Sequence, residues 1–334
     1  MHIRQSSAKA DDCAYARTLW ASKKKKMKRL LPIILSLLFS QIIFGQKMEN
    51  TYFKWEEFVD NFGKEMVSAE DVYNGMVESG LKDFSLGKFD FHFASDKKEN
   101  LLRLKEFISN HYPYEIKSIK KVENQLWELH GLTNEIPVTK DNLLYWGLDM
   151  YKRGYKFDSS LEAYGAMFDH ENPKYPNFDK SKEDWYFDNG VDCYNSGDLS
   201  GAIFNWTNVI KINPRETNSY YSRAIVKDEL YTWKSALRDY DKALEIAPDF
   251  TSALINRGSL KDENGDYQGA IEDYNKVLEL PNSEIEDKQN AYFNRGNTKY
   301  NLEDTKGACE DWKKAFELGS ENALEKIKQH CEKK

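Results

Sequence analysis

Hydrophobic and polar residues alternate strictly over residues 88–94, Lys-Phe-Asp-Phe-His-Phe-Ala, which predicts a half-buried β-strand. Before this strand, a capping sequence at Ser68 precedes apolar residues at helical spacing, which predicts a helix through Leu81. The elements predicted after it are a helix over 97–110, strands over 114–122 and 125–132, a helix over 139–154 and a strand over 161–168. The predicted order is therefore a helix followed by βαββαβ.

Residues 66–169 form a candidate α+β domain, and the order of their elements favours a split-βαβ, ferredoxin-like sandwich. The segment resembles the bacterial regulator of ribonuclease E activity B domain in the helix end Glu78-Ser79-Gly80 and in the strings FDFHFAS, QLWELHGL, IPVTKDNLLYWGLDMYKRG and LEAYGAMFD. Members of that family bind a ribonuclease as protein inhibitors. The resemblance therefore implies a non-catalytic, partner-binding domain, and no individual binding residue is carried over.

The C-terminal half of the chain repeats every 34 residues. Four columns of small or aromatic residues keep one register, with steps of 34, 34 and 38 residues. The columns are Gly190, Ala224, Gly258 and Gly296; Ala202, Ala236, Ala270 and Ala308; Trp206, Tyr240, Tyr274 and Trp312; and Val209, Ala243, Val277 and Ala315. The four extra residues of the last step fall at 281–284, where a loop between repeats is expected to absorb them.

These columns resemble the tetratricopeptide repeat, a helical hairpin that stacks into a solenoid. The first copy runs from Glu183 to Glu216, and the next copies begin at Thr217, Thr251 and near Gln289. Small residues let the two helices of a hairpin approach closely, and the aromatic residue is expected to fill the space between neighbouring hairpins. The predicted fold class is α+β followed by all-α: a ferredoxin-like βαββαβ sandwich, then an α-solenoid of about four repeats whose capping helix covers 321–334.

A basic cluster precedes an apolar run near the N-terminus. Residues 23–29 carry six Lys or Arg, and the largely apolar residues 30–45 follow. Sixteen residues are short for a membrane span, which needs about 20, and are typical of a secretory signal. We therefore expect an export signal with cleavage between Gly45 and Gln46. The alternative is an uncleaved membrane anchor.

Residues 1–26 match no part of such a signal, so Met27 is the expected first residue, with a long basic leader as the alternative. Residues 170–182 contain two prolines and little periodicity, which favours a linker. The predicted divisions are an N-terminal extension over 1–26, the signal peptide over 27–45, an N-terminal segment over 46–65, the α+β domain over 66–169, the linker over 170–182, and the repeats with their cap over 183–334.

Charge is distributed unevenly along the chain. The net charge is −7, but residues 1–45 hold nine Lys or Arg and two Asp, so the remaining chain carries −14. A body this acidic repels phosphate backbones, and direct binding to nucleic acid is not expected. The apolar content of 40% and aromatic content of 14% exclude a disordered chain.

Two cysteines flank the turn before the predicted capping helix. Cys309 lies ten residues before Gly319, and Cys331 lies eleven residues after Ser320. An antiparallel pair of helices would place them opposite each other, and an oxidising compartment would then favour a disulfide. Two buried free thiols are the alternative. Cys193 is predicted to lie in the core of the first repeat.

Motifs typical of enzymes are missing from the sequence. It contains no HExxH, no phosphate-binding or dinucleotide-binding glycine motif, and no nucleophile elbow. His92 and His130 lie on predicted strands and are interpreted as structural, and the pairs Glu272-Asp273 and Glu310-Asp311 are interpreted as the solvated face of the second helix. We therefore predict neither a catalytic site nor a metal or cofactor.

In tetratricopeptide arrays the first helix of each hairpin lines a concave groove. Carried over by position, the lining residues are Phe187, Val191 and Tyr194; Tyr221, Ile225 and Asp228; Ile255 and Ser259; and Phe293, Asn297 and Tyr300. Because these are mainly aromatic and apolar, the resemblance implies an extended or helical partner segment with apolar anchors. Packing of some of these side chains between helices is the alternative.

The sequence therefore predicts an exported, non-catalytic interaction scaffold, periplasmic or secreted. Its partner would be a protein or peptide segment bound in the groove, and the α+β domain would supply a second binding surface. The protein would contact the membrane only transiently through the signal peptide, or permanently if the signal peptide is not cleaved. Two alternatives stay open. One is a cytoplasmic regulator of a ribonuclease in RNA decay, and the other is an enzyme that uses the groove between the two domains, with His130 as a candidate residue.

Overall fold

A computed structural model describes residues 50–122 and 125–332 of the chain. The predicted extension, the signal peptide and the cleavage position at Gly45 and Gln46 lie outside the described residues. Within the described ranges, no helix is both long enough and apolar enough to cross a membrane.

The N-terminal half contains an antiparallel sheet with three helices. Alternation along the first strand buries Phe89, Phe91 and Phe93 completely on one face of the sheet. The strands lie in the order β2-β3-β1-β5, and the short β4 pairs with the start of β1. In chain order the elements are α1 (Trp55–Glu78), β1 (Leu86–Ser95), α2 (Lys98–His111), β2 (Glu115–Lys121), β3 (Trp127–Leu132), β4 (Ile136–Pro137), α3 (Lys140–Lys156) and β5 (Ser160–Phe168).

Helix α1 begins thirteen residues before the predicted cap at Ser68, so the predicted start is wrong. The reason is tertiary packing. Phe58 is buried and stacks on Tyr151 of α3, with ring centroids 5.0 Å apart, and it lies 4.7 Å from the ring of Tyr155. These contacts bring much of the 46–65 segment into the helix.

The C-terminal half is a helical solenoid of hairpins with the 34-residue spacing. After a short 3₁₀ helix at Lys180–Lys182, its helices are α4 (Glu183–Ser196), α5 (Leu199–Ile212), α6 (Thr217–Glu229), α7 (Trp233–Ile246), α8 (Thr251–Glu263), α9 (Tyr267–Glu279), α10 (Ile285–Asn301), α11 (Thr305–Glu317) and α12 (Glu321–His330). The aromatic column packs onto the small residue of its own hairpin. A Cβ atom on Gly258 would lie 2.7 Å from the ring of Tyr274, which is too close. Because glycine has no Cβ atom, the two helices can approach each other at this point.

The four-residue insertion lengthens a helix rather than a loop. Helix α10 has 17 residues where α8 has 13, and it begins at Ile285, 34 residues after Thr251. The prediction that 281–284 would absorb the insertion is therefore wrong, as is the predicted start near Gln289. Because an α-helix has 3.6 residues per turn, four added residues make about one turn and return the later side chains to nearly the same face.

The tight turn inside each hairpin contains one residue in the left-handed backbone region. Gly197 and Gly265 occupy this position in the first and third hairpins, with φ of 89° and 87°. Tyr231 and Glu303 occupy it in the second and fourth, with φ of 61° and 65°. Left-handed backbone costs an L-residue about 1–2 kcal/mol, so these two turns carry a conformational penalty that glycine avoids.

The sheet and the first repeat share one hydrophobic core. Trp146 of α3 and Ile203 of α5 are both fully buried in the same cluster. A buried polar network crosses this contact as well. Arg153 donates through Nε to Asp149, at 3.1 Å, and through Nη2 to the carbonyl oxygen of Gly197 in the first hairpin turn, at 2.6 Å. The two halves are thus held together by both apolar and polar contacts.

Candidate partner-binding groove

The first helices of the hairpins form the inner layer of the solenoid. Helices α6 and α8 contact each other, as do α8 and α10. This layer carries the predicted groove residues. Most of them are half-buried: Phe187, Val191, Tyr221, Ile225, Asp228, Ser259, Phe293 and Asn297. Tyr194 and Tyr300 are exposed, at 38% and 40%, whereas Ile255 is buried at 8% and belongs to the core of the second and third repeats.

Several of these side chains also hold the hairpins together. Asn297 accepts a hydrogen bond from Trp312 Nε1 at 3.1 Å, and Tyr221 accepts one from Asn256 Nδ2 at 3.2 Å. The ring of Tyr300 lies 5.7 Å from that of Trp312. The groove is therefore firmly packed, with its exposed aromatic surface supplied chiefly by Tyr194 at one end and Tyr300 at the other.

Carboxylates at the C-terminal ends of the first helices lie close to Tyr194 of the groove and to two buried tyrosines of the second helices. Burial, followed by the charge of Glu229, raises the pKa of Tyr194. Burial, followed by the charge of Asp228, raises the pKa of Tyr240 on the second helix of the same hairpin. The next hairpin repeats this arrangement, since burial and then the charge of Asp262 raise the pKa of Tyr274. Glu229 is itself paired with Lys152 of α3, at 3.2 Å, so part of this negative charge already has a basic partner within the protein.

The basic residues of the first helices face the second helices instead. In the second hairpin, Arg223 donates to both carboxylate oxygens of Asp239, each at 2.8 Å, and Lys227 Nζ lies 2.9 Å from Asp239 Oδ2. Burial lowers the pKa of Lys227, and Arg223 adds to this effect. Burial alone would raise the pKa of Asp239, but Arg223 and Lys227 lower it. We call this arrangement the ion triad.

The ion triad recurs in the third and fourth hairpins. Its members there are Arg257, Lys261 and Asp273, and Arg295, Lys299 and Asp311. Asp273 and Asp311 are only 1% and 3% exposed, so the interpretation of both aspartates as a solvated face is wrong. Their oxygens find charged donors inside the hairpin, which makes burial tolerable.

The first hairpin replaces the ion triad with neutral residues. Asn189 donates to Asn205 Oδ1 at 3.0 Å, and Asn205 Nδ2 lies 3.8 Å from the sulfur of Cys193. Cys193 is half-buried against the shared core. Burial, followed by the charge of Asp198, raises the pKa of its thiol to about 12, which makes it a poor nucleophile.

The two C-terminal cysteines meet where the sequence places them. Cys309 and Cys331 lie at disulfide distance, with sulfur atoms 2.01 Å apart and Cα atoms 5.7 Å apart. They tie α12 to α11 beside the buried Trp312 and Ile327. The last hairpin is thereby covered by a short helix.

A cleft of about 440 Å³ lies between the sheet half and the repeats. Its lining includes Lys140, Tyr145 and Arg223, but not His130. His130 lies instead on the sheet, directly opposite His92. The suggestion that His130 is an interdomain residue is therefore wrong. Asp149 and Arg153 are among the polar residues that join the halves, and their i, i+4 spacing is their one signal in the sequence. Tyr145 also donates to Ser235 Oγ at 2.6 Å, and Lys152 Nζ lies 3.2 Å from Glu229 Oε1.

Comparison with known proteins supports the repeat assignment. Residues 251–284, which span the third hairpin and the loop after it, match the family model of the tetratricopeptide repeat. No curated protein matches the chain. The hairpins on either side of the matched residues have the same two-helix form, so the described solenoid consists of tetratricopeptide-like hairpins.

Three solved structures illustrate the likeness. MamA residues 41 to the end, from Desulfovibrio magneticus RS-1, is 19% identical, with 41% of this chain and 76% of that chain covered and a TM-score of 0.38. PilF of Pseudomonas aeruginosa is 20% identical, with 42% and 62% covered and a TM-score of 0.39. YrrB, described as a tetratricopeptide repeat protein with an unusual peptide-binding site, is 19% identical, with 56% and 85% covered and a TM-score of 0.39.

Proposed function

We propose that this protein is a non-catalytic interaction scaffold that binds a segment of another protein in the groove of its first helices. The observation that carries the proposal is the separation of charge across these helices. In α6, α8 and α10, six basic residues are used in ion triads that face the second helices. Acidic residues at the ends of α6 and α8 lie near Tyr194 of the groove and near the buried Tyr240 and Tyr274 of the second helices.

This charge separation specifies the partner. The bound segment carries Lys or Arg residues that interact with the carboxylates, together with apolar or aromatic anchors that pack on Tyr194, Tyr300 and the half-buried rings between them. Electrostatic attraction of this kind chiefly accelerates association and is screened by salt.

A peptide display experiment tests the groove. Random peptides displayed on phage are selected on the wild-type protein and then measured against a Tyr194→Ala/Tyr300→Ala double variant. Phe316→Ala is the matched control, because Phe316 is an aromatic residue of similar exposure, 45%, on a second helix. We expect enriched basic peptides with aromatic residues, whose affinity falls at least about tenfold in the double variant, as for loss of an interface anchor. Selected peptides that bind the Tyr194→Ala/Tyr300→Ala variant as tightly as the wild-type protein would refute groove binding.

Export is a further part of the proposal. The basic and apolar pattern over 27–45 supports it, and so does the disulfide-distance pair Cys309–Cys331, because disulfides persist in oxidising compartments. The intact mass of the protein from its native cells, without reductant, tests both points. A mass for Gln46–Lys334 less two hydrogens supports export, and a mass starting at Met27 or Met1 with free thiols favours the cytoplasmic ribonuclease regulator.

We further propose that the sheet half is a ferredoxin-like module that supplies a second binding surface. The antiparallel strand order β2-β3-β1-β5, with α2 and α3 between strands, supports this fold. The resemblance to the ribonuclease regulator family supports a binding role for it. Deleting the repeats would not test this role, because both halves share one core. Substitutions on the face of the sheet opposite the buried Phe89, Phe91 and Phe93 are the appropriate probe of this role.

A further inference from the structure

Two histidines and two carboxylates meet on the face of the sheet opposite the buried phenylalanines. His92 and His130 are directly paired across β1 and β3, and their rings stack with centroids 4.5 Å apart and planes 9° apart. Asp90 Oδ2 lies 3.8 Å from His92 Nε2, and Glu128 Oε1 lies 3.5 Å from His92 Nδ1. All four residues are half-buried.

The surroundings leave this cluster open to solvent on one side. In the neighbouring strand β5, Gly165 pairs with Asp90 and Ala163 pairs with His92. A Cβ atom on Gly165 would lie 2.9 Å from Asp90 Oδ1, so a larger residue would crowd the carboxylate. On β2, the small Ser118 pairs with His130. Lys120 of β2 also borders the cluster, with its Nζ 3.5 Å from the same Glu128 oxygen that faces His92.

We propose that Asp90, His92 and His130 form a binding site for a divalent transition metal ion of the zinc type. One ligand atom from each residue lies within 4.8 Å of the other two. A zinc ion with bonds of about 2.0–2.2 Å needs its ligand atoms roughly 3.5 Å apart. Because an imidazole binds a metal in the plane of its ring, metal binding also requires the stacked rings of His92 and His130 to turn out of their parallel arrangement. Two imidazoles and one carboxylate suit Zn²⁺, Cu²⁺ and Ni²⁺, and leave at least one coordination position for water.

Glu128 has a positioning role in this proposal. Its carboxylate faces His92 Nδ1, so a proton on Nδ1 can be held there. With the proton on Nδ1, Nε2 of His92 carries a lone pair and no proton. Two hydrogen-bond acceptors, Nε2 and Asp90 Oδ2, then face each other at 3.8 Å. A metal ion between them converts this unfavourable contact into coordination. Glu128 therefore orients a ligand without binding the metal itself.

Calorimetric titration of the full chain, without an affinity tag, with ZnCl₂ tests the site. We expect one Zn²⁺ per chain, with affinity at least about tenfold weaker in His130→Ala and Asp90→Asn, and about tenfold weaker in Glu128→Gln, as for other outer-shell partners. His170→Gln removes an exposed histidine elsewhere and should bind like wild type. Co²⁺ substitution in the same variants gives an independent visible-absorption readout of ligand loss.

Two results would overturn the proposal. One is a wild-type protein that takes up no Zn²⁺ or Co²⁺, and the other is unchanged binding in both His130→Ala and Asp90→Asn. Asp90→Asn retains the side-chain shape on the solvent face, so loss of binding with an unchanged circular dichroism spectrum reports coordination rather than unfolding. The groove residues are untouched by these substitutions, so the outcome is independent of peptide binding.

Discussion

Arg257 and Asp273 form a two-point ion pair across the third hairpin, sixteen residues apart in the chain. The distances are 2.9 Å from Nε to Oδ2 and 2.5 Å from Nη2 to Oδ1. The remaining guanidinium nitrogen, Nη1, reaches Asp241 in the preceding hairpin at 2.6 Å. One arginine therefore connects both helices of its own hairpin and the neighbouring repeat, and it is no longer available to neutralise the groove.

We expect Asp273→Asn to destabilise the protein strongly. The carboxylate is nearly fully buried, and its loss leaves the charges of Arg257 and Lys261 facing a neutral amide. Breaking a buried ion pair by removing one partner costs about 3–5 kcal/mol of unfolding free energy. Urea unfolding followed by circular dichroism measures the loss.

The first hairpin provides the control for this prediction. Arg257→Asn, Lys261→Cys and Asp273→Asn together copy its neutral set Asn189, Cys193 and Asn205. Asp241 then loses its contact with Arg257, but its side chain is 60% exposed. Because no buried charge is left without a partner, the triple variant should be more stable than Asp273→Asn alone. A triple variant as unstable as the single one would show that the cost comes from lost packing rather than from unpaired charge.

The ion triad also shows what the sequence pattern could and could not predict. The 34-residue columns predicted the first residues of α4, α6 and α8 correctly, because small and aromatic residues at fixed spacing report hairpin packing directly. The burial of Asp273 was missed because an acidic pair on a helix resembles a solvated face. The signal that could have revealed it is a column of arginines in the same register, Arg223, Arg257 and Arg295. Each of them pairs with the aspartate sixteen residues later in the chain.

Tertiary contacts account for the other differences. Helix α1 starts early because Phe58 packs on a distant helix, which no local capping signal reveals. The groove residues were predicted by position in the repeat, which does not give their exposure, and Ile255 proved to be core while Tyr194 is exposed. His92 and His130 lie 38 residues apart in sequence, and only strand register brings their rings together.

Asp198 gives a pH prediction. It caps α5, and burial, followed by the charge of Asp149, raises the pKa of Asp198 to about 7. An unfolded aspartate titrates near about 3.9. Between these values the folded carboxyl keeps a proton that the unfolded one releases, so its contribution to stability falls as the pH rises from about 4 to about 7 and stays low above that.

We therefore expect Asp198→Asn, which keeps a good helix cap, to gain stability relative to wild type as the pH rises. The slope of the difference should approach about 1.4 kcal/mol per pH unit within that window. Urea midpoints at several pH values check it. Asp266→Asn changes the equivalent but exposed cap of α9 and should not show this slope. A flat difference for Asp198→Asn would contradict the raised pKa.

The C-terminal cysteine pair should control the stability of the last helix. Helix α12 has ten residues, too few to persist without tertiary contacts. For a sequence separation of 22 residues, loop-closure entropy corresponds to about 3 kcal/mol. Reduction, or Cys331→Ser, should therefore increase hydrogen exchange and proteolysis of residues 321–332. Cys193→Ser should keep the wild-type response to reductant. Equal protection before and after reduction would show that packing alone holds α12.

Replacing the two non-glycine residues in the left-handed turns, Glu303 and Tyr231, by glycine should change the unfolding free energy differently. Glu303 is exposed, so Glu303→Gly removes the backbone penalty with little lost contact and should stabilise by up to about 1 kcal/mol. Tyr231 has the same backbone, but its ring lies 5.9 Å from Phe62 of α1 and 5.5 Å from Lys152 Nζ of α3. Aromatic and cation–π contacts together are worth about 1–2.5 kcal/mol, so Tyr231→Gly should be neutral or destabilising. Thermal and urea unfolding of both variants test this contrast. Equal stabilisation of the protein by the two substitutions would mean that the Tyr231 side chain contributes nothing to the contact between the sheet half and the repeats.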